Sequence, residues 1–509
     1  AKDFPKDDPT FDPDNLKYSC IRYVPAAITN AMGPSWTDPR TGEIINASVI
    51  IFNDVVKLAN QWRFLQTSQV DPSVRTKKMP DNILEESIEY IVAHEVGHCL
   101  GFMHNMSASA AYPVDSLRSA SFTNTYGTTP CIMDYARFNY VAQPGDKGAR
   151  LTPPDLGIYD YFLVKWNYQP LPQVNNEWEE QAILESWVDE KAGDPRYRYG
   201  RQQIYSRYDP SAIEEDLGDD PVKASSYGVM NLKYILSQMN EWIKDDVEGD
   251  FRKEIYNEII GQYIRYINNV LFNIGGIYVN EHYEGDPFPS YVPVTKEKQR
   301  ESLKFLWEQA LDCSWIDEPA LQKILPLHSN LSSVIENLII DYVLKRFPSV
   351  AICGDKMEQN PYTQLDYMDD LYYYMFMVPD KKNVLSASEK NMQLKFVSYL
   401  MNGIKTVKKG SAAGTSGRML TDERIPLPEG IVAPTYLYDG PLNHFNDPKE
   451  VMGFEDTVSV TIPVESMEHH YYSMLRKIER LAKNRMSAGS DENRTHYRLL
   501  VYKISQSLK

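Results

Sequence analysis

Three histidines and one glutamate at fixed spacing are the residues of this chain best suited to chemistry. They lie in the segment His94-Glu95-Val96-Gly97-His98-Cys99-Leu100-Gly101-Phe102-Met103-His104. On a helix, His94 and His98 are four residues apart and lie on the same face, so both imidazoles can bind one ion. Gly101 can adopt a left-handed conformation at little cost and turn the chain back, which lets His104 supply a third nitrogen.

This spacing predicts a catalytic zinc site. Three protein ligands leave one coordination position open for water or a substrate carbonyl, which is typical of catalytic rather than structural zinc. Zinc lowers the pKa of its water and polarises a scissile carbonyl. Glu95 follows the first histidine directly and can take a proton from the attacking water. We therefore expect one catalytic Zn²⁺ ion on His94, His98 and His104, and a catalytic role for Glu95.

The composition disfavours several other functions. Lys and Arg number 53 against 70 Asp and Glu, a net charge of −17, which argues against nucleic acid as a partner. The sequence contains no apolar run long enough to predict a membrane span. Five cysteines without CxxC spacing indicate no disulfide framework, although one or two bridges stay open. The chain begins at Ala1, which we interpret as a processed or trimmed start.

The elements that must position the site lie in the first third of the chain. Residues 1–170 have mixed α/β character, with strands predicted at 19–24 and 47–52 and a turn at 38–42. A helix is predicted to begin at Asp81, which can cap it, and to end at Gly101. A second helix is predicted to open at 153–155.

The rest of the chain is predicted to be a connection followed by helices. Residues 171–220 are interpreted as an irregular connection whose acidic residues, 214–216 and 219–220, are solvated, with a calcium site as the alternative. Residues 221–509 are predicted to be mainly helical, with a glycine-rich flexible loop at 410–417. The predicted helices in this region cover residues near 229–242, 251–270, 296–311, 331–346, 386–402, 465–485 and 492–507.

A second motif, Cys131-Ile132-Met133-Asp134-Tyr135, follows the histidine segment. Together they resemble the signature of the metzincin clan of zinc peptidases, HExxHxxGxxH followed by a methionine turn. The resemblance implies an α+β catalytic domain with a twisted mixed sheet, an active-site helix and a Met-turn. It implies that Met133 lies beneath the zinc and supports the histidines without binding metal. A tyrosine at the position of Tyr135 ligates zinc or stabilises the oxyanion in some members, and the alternative here is a packing tyrosine.

Three further segments indicate a more specific family within this clan. Residues 38–44, 227–232 and 273–276 resemble a bacterial family of large zinc-dependent metalloproteases, in which a metzincin-type domain precedes a long helical region. This resemblance implies an extracytoplasmic location, which would be periplasmic, cell-surface or secreted. The clan also suggests that an edge strand pairs with an extended substrate, for which 47–53 is our candidate, and that 136–140 lines the pocket beyond the scissile bond.

The function predicted on these grounds is a zinc-dependent endopeptidase that acts on proteins or peptides. Two alternatives stay open. One is a binding or scaffold protein with a structural or vestigial zinc site, and the other is a zinc hydrolase of a non-peptide amide. The oligomeric state, the cleavage preference and the role of the helical region stay open as well. The other histidines are interpreted as ordinary core or surface residues, namely His282, His328, His444, His469, His470 and His496.

Overall fold

The structure is a computed structural model, and the part of the chain it describes excludes several short segments and one long one. The described residues are 3–153, 156–203, 207–280, 289–323, 325, 330–382, 384–405 and 467–508. Several predictions lie outside these residues, namely the glycine-rich loop at 410–417, positions 154–155 of the second predicted helix, and the interpretations of His282, His328 and His444.

A small mixed sheet forms the N-terminal layer of the fold. Its strands are β1 (Cys20–Val24), β2 (Ala31–Met32), β3 (Ser35–Thr37) and β4 (Ile44–Phe52). Strand β4 is central, because it runs parallel to β1 on one side and antiparallel to β2 and β3 on the other. The predicted strands near 19–24 and 47–52 are confirmed. So is the turn at 38–42, where Gly42 has a positive φ of 74° and donates to the Asp38 carbonyl at 2.8 Å.

The prediction that 47–53 forms the substrate-binding edge is wrong. These residues belong to the longest apolar strand of the sheet, and Val49 and Phe52 are buried in it, so pairing on both sides satisfies more backbone groups than an edge position could. The edges of the sheet are formed instead by β1 on one side of β4 and by β2 and β3 on the other. Gly33 and Pro34 lie between β2 and β3, and proline is typical of edge strands because it cannot donate to a ladder.

The predicted site helix is confirmed as α2 (Asp81–Cys99) and follows α1 (Val55–Thr67). The N-cap of α2 is Pro80, so Asp81 is not the cap but stands in the first turn, where its carboxylate suits the positive end of the helix. Gly101 has a φ of 84°, and the next residue, Phe102, donates to the Gly97 carbonyl at 3.0 Å. This left-handed turn ends the helix as predicted.

Residues 171–220, predicted to be an irregular connection, contain the helix Glu177–Asp189, which is capped by Asn176 and has three glutamates in its first turn, so the prediction is wrong there. The described residues from 221 onward are mainly helical, as predicted. Helices are numerous throughout the chain after the site helix. Its helices are α3 (Ala120–Tyr126), α4 (Ile158–Tyr168), α5 (Glu177–Asp189), α6 (Pro221–Trp242), α7 (Asp250–Leu271), α8 (Lys296–Leu311), α9 (Pro319–Gln322), α10 (Leu331–Leu344), α11 (Phe347–Asp355), α12 (Gln364–Tyr372), α13 (Ala387–Lys405), α14 (Glu468–Arg485) and α15 (Asp491–Ser507). A short antiparallel pair, β5 (Ile277–Val279) and β6 (Tyr291–Pro293), follows α7. Among the helices in the described part of the chain, none combines the length and apolar character that a membrane crossing requires. All five cysteines are free thiols.

The largest buried cluster joins the N-terminal region to the helices. Phe64 of α1 and Tyr140 belong to the same cluster as the buried faces of α6 and α7. The contact is specific, because the rings of Tyr140 and Tyr266 lie 4.6 Å apart and Asn231 of α6 donates to the Tyr140 carbonyl at 2.8 Å. The predicted division at residues 170 and 220 stays a prediction, but the hydrophobic core extends across it.

The interpretation of residues 214–216 as solvated is wrong. All three side chains are buried, Glu214 against Arg207, Glu215 against Arg265 of α7, and Asp216 against a serine hydroxyl. A buried carboxylate is tolerated only when it is paired or hydrogen-bonded. The pairing arginine of Glu215 lies 50 residues further along the chain, so the local sequence looks like an exposed acidic run.

Candidate metal centre

Three imidazoles face one another at the end of α2. Two are carried by the helix and the third by the chain just after its terminal turn. Helix α2 carries His94 and His98, and the left-handed turn at Gly101 returns the chain so that His104 faces both. His104 Nε2 lies 3.3 Å from His94 Nε2 and 3.0 Å from His98 Nε2. In the described part of the chain, no other three histidine, cysteine or carboxylate ligands gather in this way.

The opposite nitrogen of each ring is held by an oxygen acceptor. Because these oxygens accept hydrogen bonds, each Nδ1 carries the proton and each Nε2 keeps its lone pair. The contacts are His94 Nδ1 to the Ile132 carbonyl at 2.7 Å, His98 Nδ1 to the Phe102 carbonyl at 2.9 Å, and His104 Nδ1 to Gln202 Oε1 at 2.9 Å.

This arrangement fits a zinc ion. The Nε2 lone pairs of His94 and His98 face that of His104 at 3.3 and 3.0 Å with no proton between them, and they repel one another unless a cation lies among them. Burial lowers the pKa of His94 well below its usual value and that of His104 to about 3, so neither imidazole is protonated at neutral pH. Neutral imidazole nitrogens are ligands that Zn²⁺ prefers, and each has the outer hydrogen bond expected of a metal ligand.

Glu95 lies beside the imidazoles under the edge of the sheet. Its side chain is buried, and burial raises its pKa to about 8. A cation on the neighbouring histidines would oppose that effect and favour the charged carboxylate. The link between β2 and β3 passes directly over this point, because a Cβ on Gly33 would lie only 2.1 Å from the Glu95 carbonyl oxygen. Only a glycine allows this close approach of the two backbones.

A tight turn containing Met133 lies beneath the histidines. Asp134 N–H donates to the Cys131 carbonyl at 3.4 Å, which closes the turn, and Met133 is fully buried. The methionine packs against α2, where a Cβ on Gly97 would lie 2.2 Å from the Met133 sulfur. The turn therefore lies where the resemblance places a Met-turn, and Gly97 makes room for it.

The N-terminus of α4 holds this turn in place. The Asp160 carboxylate accepts from Ile132 N–H at 2.9 Å and from the Cys131 thiol at 3.0 Å. Tyr159 N–H donates to the Pro130 carbonyl at 2.9 Å. Asp160 therefore fixes the backbone N–H of Ile132, the same residue whose carbonyl orients the first imidazole.

Tyr135 packs against the imidazoles on the far side of the turn. Its ring centroid lies 4.5 Å from that of His104 and 5.5 Å from that of His94. The Arg137 guanidinium stacks on the same ring, with Cζ 4.2 Å from the centroid, and on the ring of Trp62 at 3.9 Å. Residues 136–140, predicted to line the pocket beyond the scissile bond, are buried. Their role in that pocket stays a prediction.

The structure thus brings together every predicted site residue, and it adds four that the sequence did not reveal. Gln202 and Asp160 carry no local signal, because they lie 98 and 66 residues from the histidines that they help to orient. At Gly33 and Gly97, the glycine residue itself was the only indication in the sequence of a close approach. The roles of the predicted residues in catalysis stay predictions.

Comparison with known proteins gives one match. A search of the curated proteins found no match, and neither did a search of the solved structures. A family model described as Met-zincin matches residues 76–383, which is more than half of the chain and includes both the histidine segment and the turn at Met133. This family implies zinc and metallopeptidase activity, in agreement with the geometry of the three imidazoles. The chain therefore belongs to the Met-zincin family.

Proposed function

We propose that this metallopeptidase is an endopeptidase that hydrolyses internal peptide bonds of proteins or peptides. The observation that carries the proposal is the convergence of the three unprotonated Nε2 atoms of His94, His98 and His104, with Glu95 buried beside them. A structural site would have no need of that carboxylate. The same observation disfavours a scaffold with a vestigial site.

The positions of the side chains support the following catalytic roles. Bound zinc would supply Lewis acidity and lower the pKa of a water. Glu95 then accepts a proton from the attacking water and returns it to the leaving amine nitrogen. The Tyr135 hydroxyl donates to the oxyanion that develops on the carbonyl oxygen. Its ring contacts with His94 and His104 support this role, because they place the phenol at the edge of the centre.

The proposed substrate is an extended chain that pairs with the edge formed by β2 and β3. This edge lies over α2 at Gly33, next to Glu95. An edge strand binds an extended peptide through backbone hydrogen bonds and needs no chain terminus, which favours cleavage within a chain. We also propose an extracytoplasmic location, for which the support is the family resemblance alone.

The test is cleavage of a diverse peptide library, read by mass spectrometry, with wild type and Glu95→Gln compared. The amide keeps the size of the buried side chain but cannot accept the proton, so we expect Glu95→Gln to retain zinc and lose hydrolysis by roughly 10²–10⁴-fold. A zinc chelator should abolish wild-type cleavage. Equal rates for the two proteins would refute the role of Glu95, and cleavage only at chain ends would refute the endopeptidase proposal.

A further inference from the structure

We propose that Gln202 is the positioning residue of the third metal ligand, and that Glu214 determines which end of its amide faces His104. This inference rests on the proposed metal centre. It adds a segment that neither the histidine motif nor the methionine turn includes, and it makes the zinc affinity depend on side chains about a hundred residues from the ligands.

His104 is held differently from the other two imidazoles. His94 and His98 each face a backbone carbonyl, which can only accept a hydrogen bond. His104 faces a side-chain amide, which has a donor end and an acceptor end. If the amide were reversed, its NH₂ group would face Nδ1. The proton would then move to Nε2, where it would block the metal position.

Glu214 fixes the orientation of the Gln202 amide. Gln202 Nε2 donates to Glu214 Oε1 at 3.1 Å, and because an ionised carboxylate only accepts, the amide oxygen must face His104. Glu214 is itself held by Arg207, whose Nη2 lies 2.9 Å from Oε1 and whose Nη1 contacts Oε2. Both side chains of this ion pair are less than a tenth exposed. A buried pair of this kind is shielded from competing water.

Hydrogen bonds from the side-chain amide of Asn105 and the backbone of Met106 hold the segment that carries Gln202 against the centre. Asn105, the residue after the third histidine, donates to the Arg198 carbonyl at 3.0 Å and accepts from Gly200 N–H at 2.9 Å. Met106 N–H donates to the Gly200 carbonyl at 2.7 Å. The approach is close, because a Cβ on Gly200 would lie 1.9 Å from Ser107 Oγ. The segment that carries Gln202 is therefore anchored to the residues that directly follow His104.

The adjacent amide provides a matched control. Gln203 accepts from Tyr208 N–H at 2.8 Å and donates to the Asp209 carbonyl at 2.8 Å and the Ala212 carbonyl at 3.0 Å, so it bonds within its own loop. Removing Gln203 tests the effect of losing a partly buried structural amide in the same segment without changing the His104 contact.

The experiment measures zinc affinity by competition with a chromophoric chelator at one neutral pH. We expect Gln202→Ala to weaken zinc binding by roughly 10–100-fold, the usual effect of losing an outer partner of a ligand, and Glu214→Gln to weaken it in the same direction. Gln203→Ala should bind zinc about as wild type does. The double variant Gln202→Glu/Glu214→Gln should recover much of the affinity, because a carboxylate at 202 accepts from Nδ1 whichever way it turns.

The outcomes separate this inference from the function on which it rests. Wild type and Gln202→Ala with the same zinc affinity would overturn the positioning role and leave the centre intact. Wild type without zinc uptake would overturn the proposed centre and this inference with it. Circular dichroism of the metal-free proteins checks the fold, and if Gln202→Ala is misfolded, an unchanged affinity of Glu214→Gln is the overturning result.

Discussion

At the scale of single residues, the site is defined by which atoms carry protons. The three imidazoles are equivalent in type, yet each acquires its tautomer from a different partner, the turn at Met133, the turn at Gly101 or the amide of Gln202. The chemistry thus depends on residues that never touch the substrate. Among the predicted residues, Tyr135 is the one whose proposed contact forms only in the transition state.

We expect Tyr135→Phe to lower kcat by about 10²-fold or more while KM changes little. The hydroxyl would contact charge that exists only in the transition state, so its loss removes no ground-state binding. Steady-state kinetics on the best peptide from the library would measure this, with zinc content as the control. An unchanged kcat would assign Tyr135 to packing against His94 and His104.

The residues that could be predicted from spacing alone are those whose partners are local, whereas Met133 and Tyr135 were predicted from the resemblance to the metzincin signature. His94, Glu95, His98 and His104 fall within eleven positions, so helix periodicity and one glycine determine their geometry. The supporting residues could not be predicted in this way. Gln202 and Asp160 reach the site only through the tertiary fold, and no spacing rule connects them to a histidine.

At the scale of elements, the centre depends on the contact between α2 and the turn beneath it. The two elements approach most closely at Gly97, where an added Cβ would lie 2.2 Å from the sulfur of Met133. One helix of the N-terminal region was not predicted. Helix α1 escaped prediction because its polar residues Gln61, Arg63 and Gln66 are buried with the apolar ones, which obscures the helical pattern.

We expect Gly97→Ala to lower the free energy of unfolding by about 1–3 kcal/mol. An alanine within a helix normally stabilises by about 0.5–1 kcal/mol relative to glycine, but here the added methyl collides with Met133. Chemical denaturation of Gly97→Ala, Met133→Ala and the double variant would show this. The two losses should not add, since removing the methionine side chain makes room for the methyl group. Strict additivity would contradict the proposed contact.

At the scale of the whole molecule, part of the N-terminal region shares a hydrophobic core with the helices, whereas the residues around the turn at Met133 belong to a second buried cluster. Phe64 and Tyr140 pack among residues of α6 and α7, and the buried Glu215 joins Arg265 of α7 to Arg137 beside Tyr135. A boundary drawn from composition at residue 170 stays a prediction, and composition could not anticipate these contacts, because it does not reveal which distant side chains pack together.

We expect a fragment of residues 1–170 to unfold without a cooperative transition. It would expose the apolar side chains that α6 and α7 cover, and it would lack Gln202. Thermal unfolding followed by circular dichroism, beside the full chain, provides the measurement. A sharp transition in the fragment would instead show that the predicted catalytic domain folds alone.

The position of Gln202 in the chain also sets an order of events during synthesis. The ribosome completes the three histidines about a hundred residues before it reaches the amide and carboxylate that orient His104. A nascent chain that ends before residue 214 has all of its metal ligands, but the tautomer of the third is not yet determined. Maturation of the centre therefore requires Gln202 and Glu214, which precede the helical region, and a chain that ends between the histidines and these two residues carries the motif without its finished geometry.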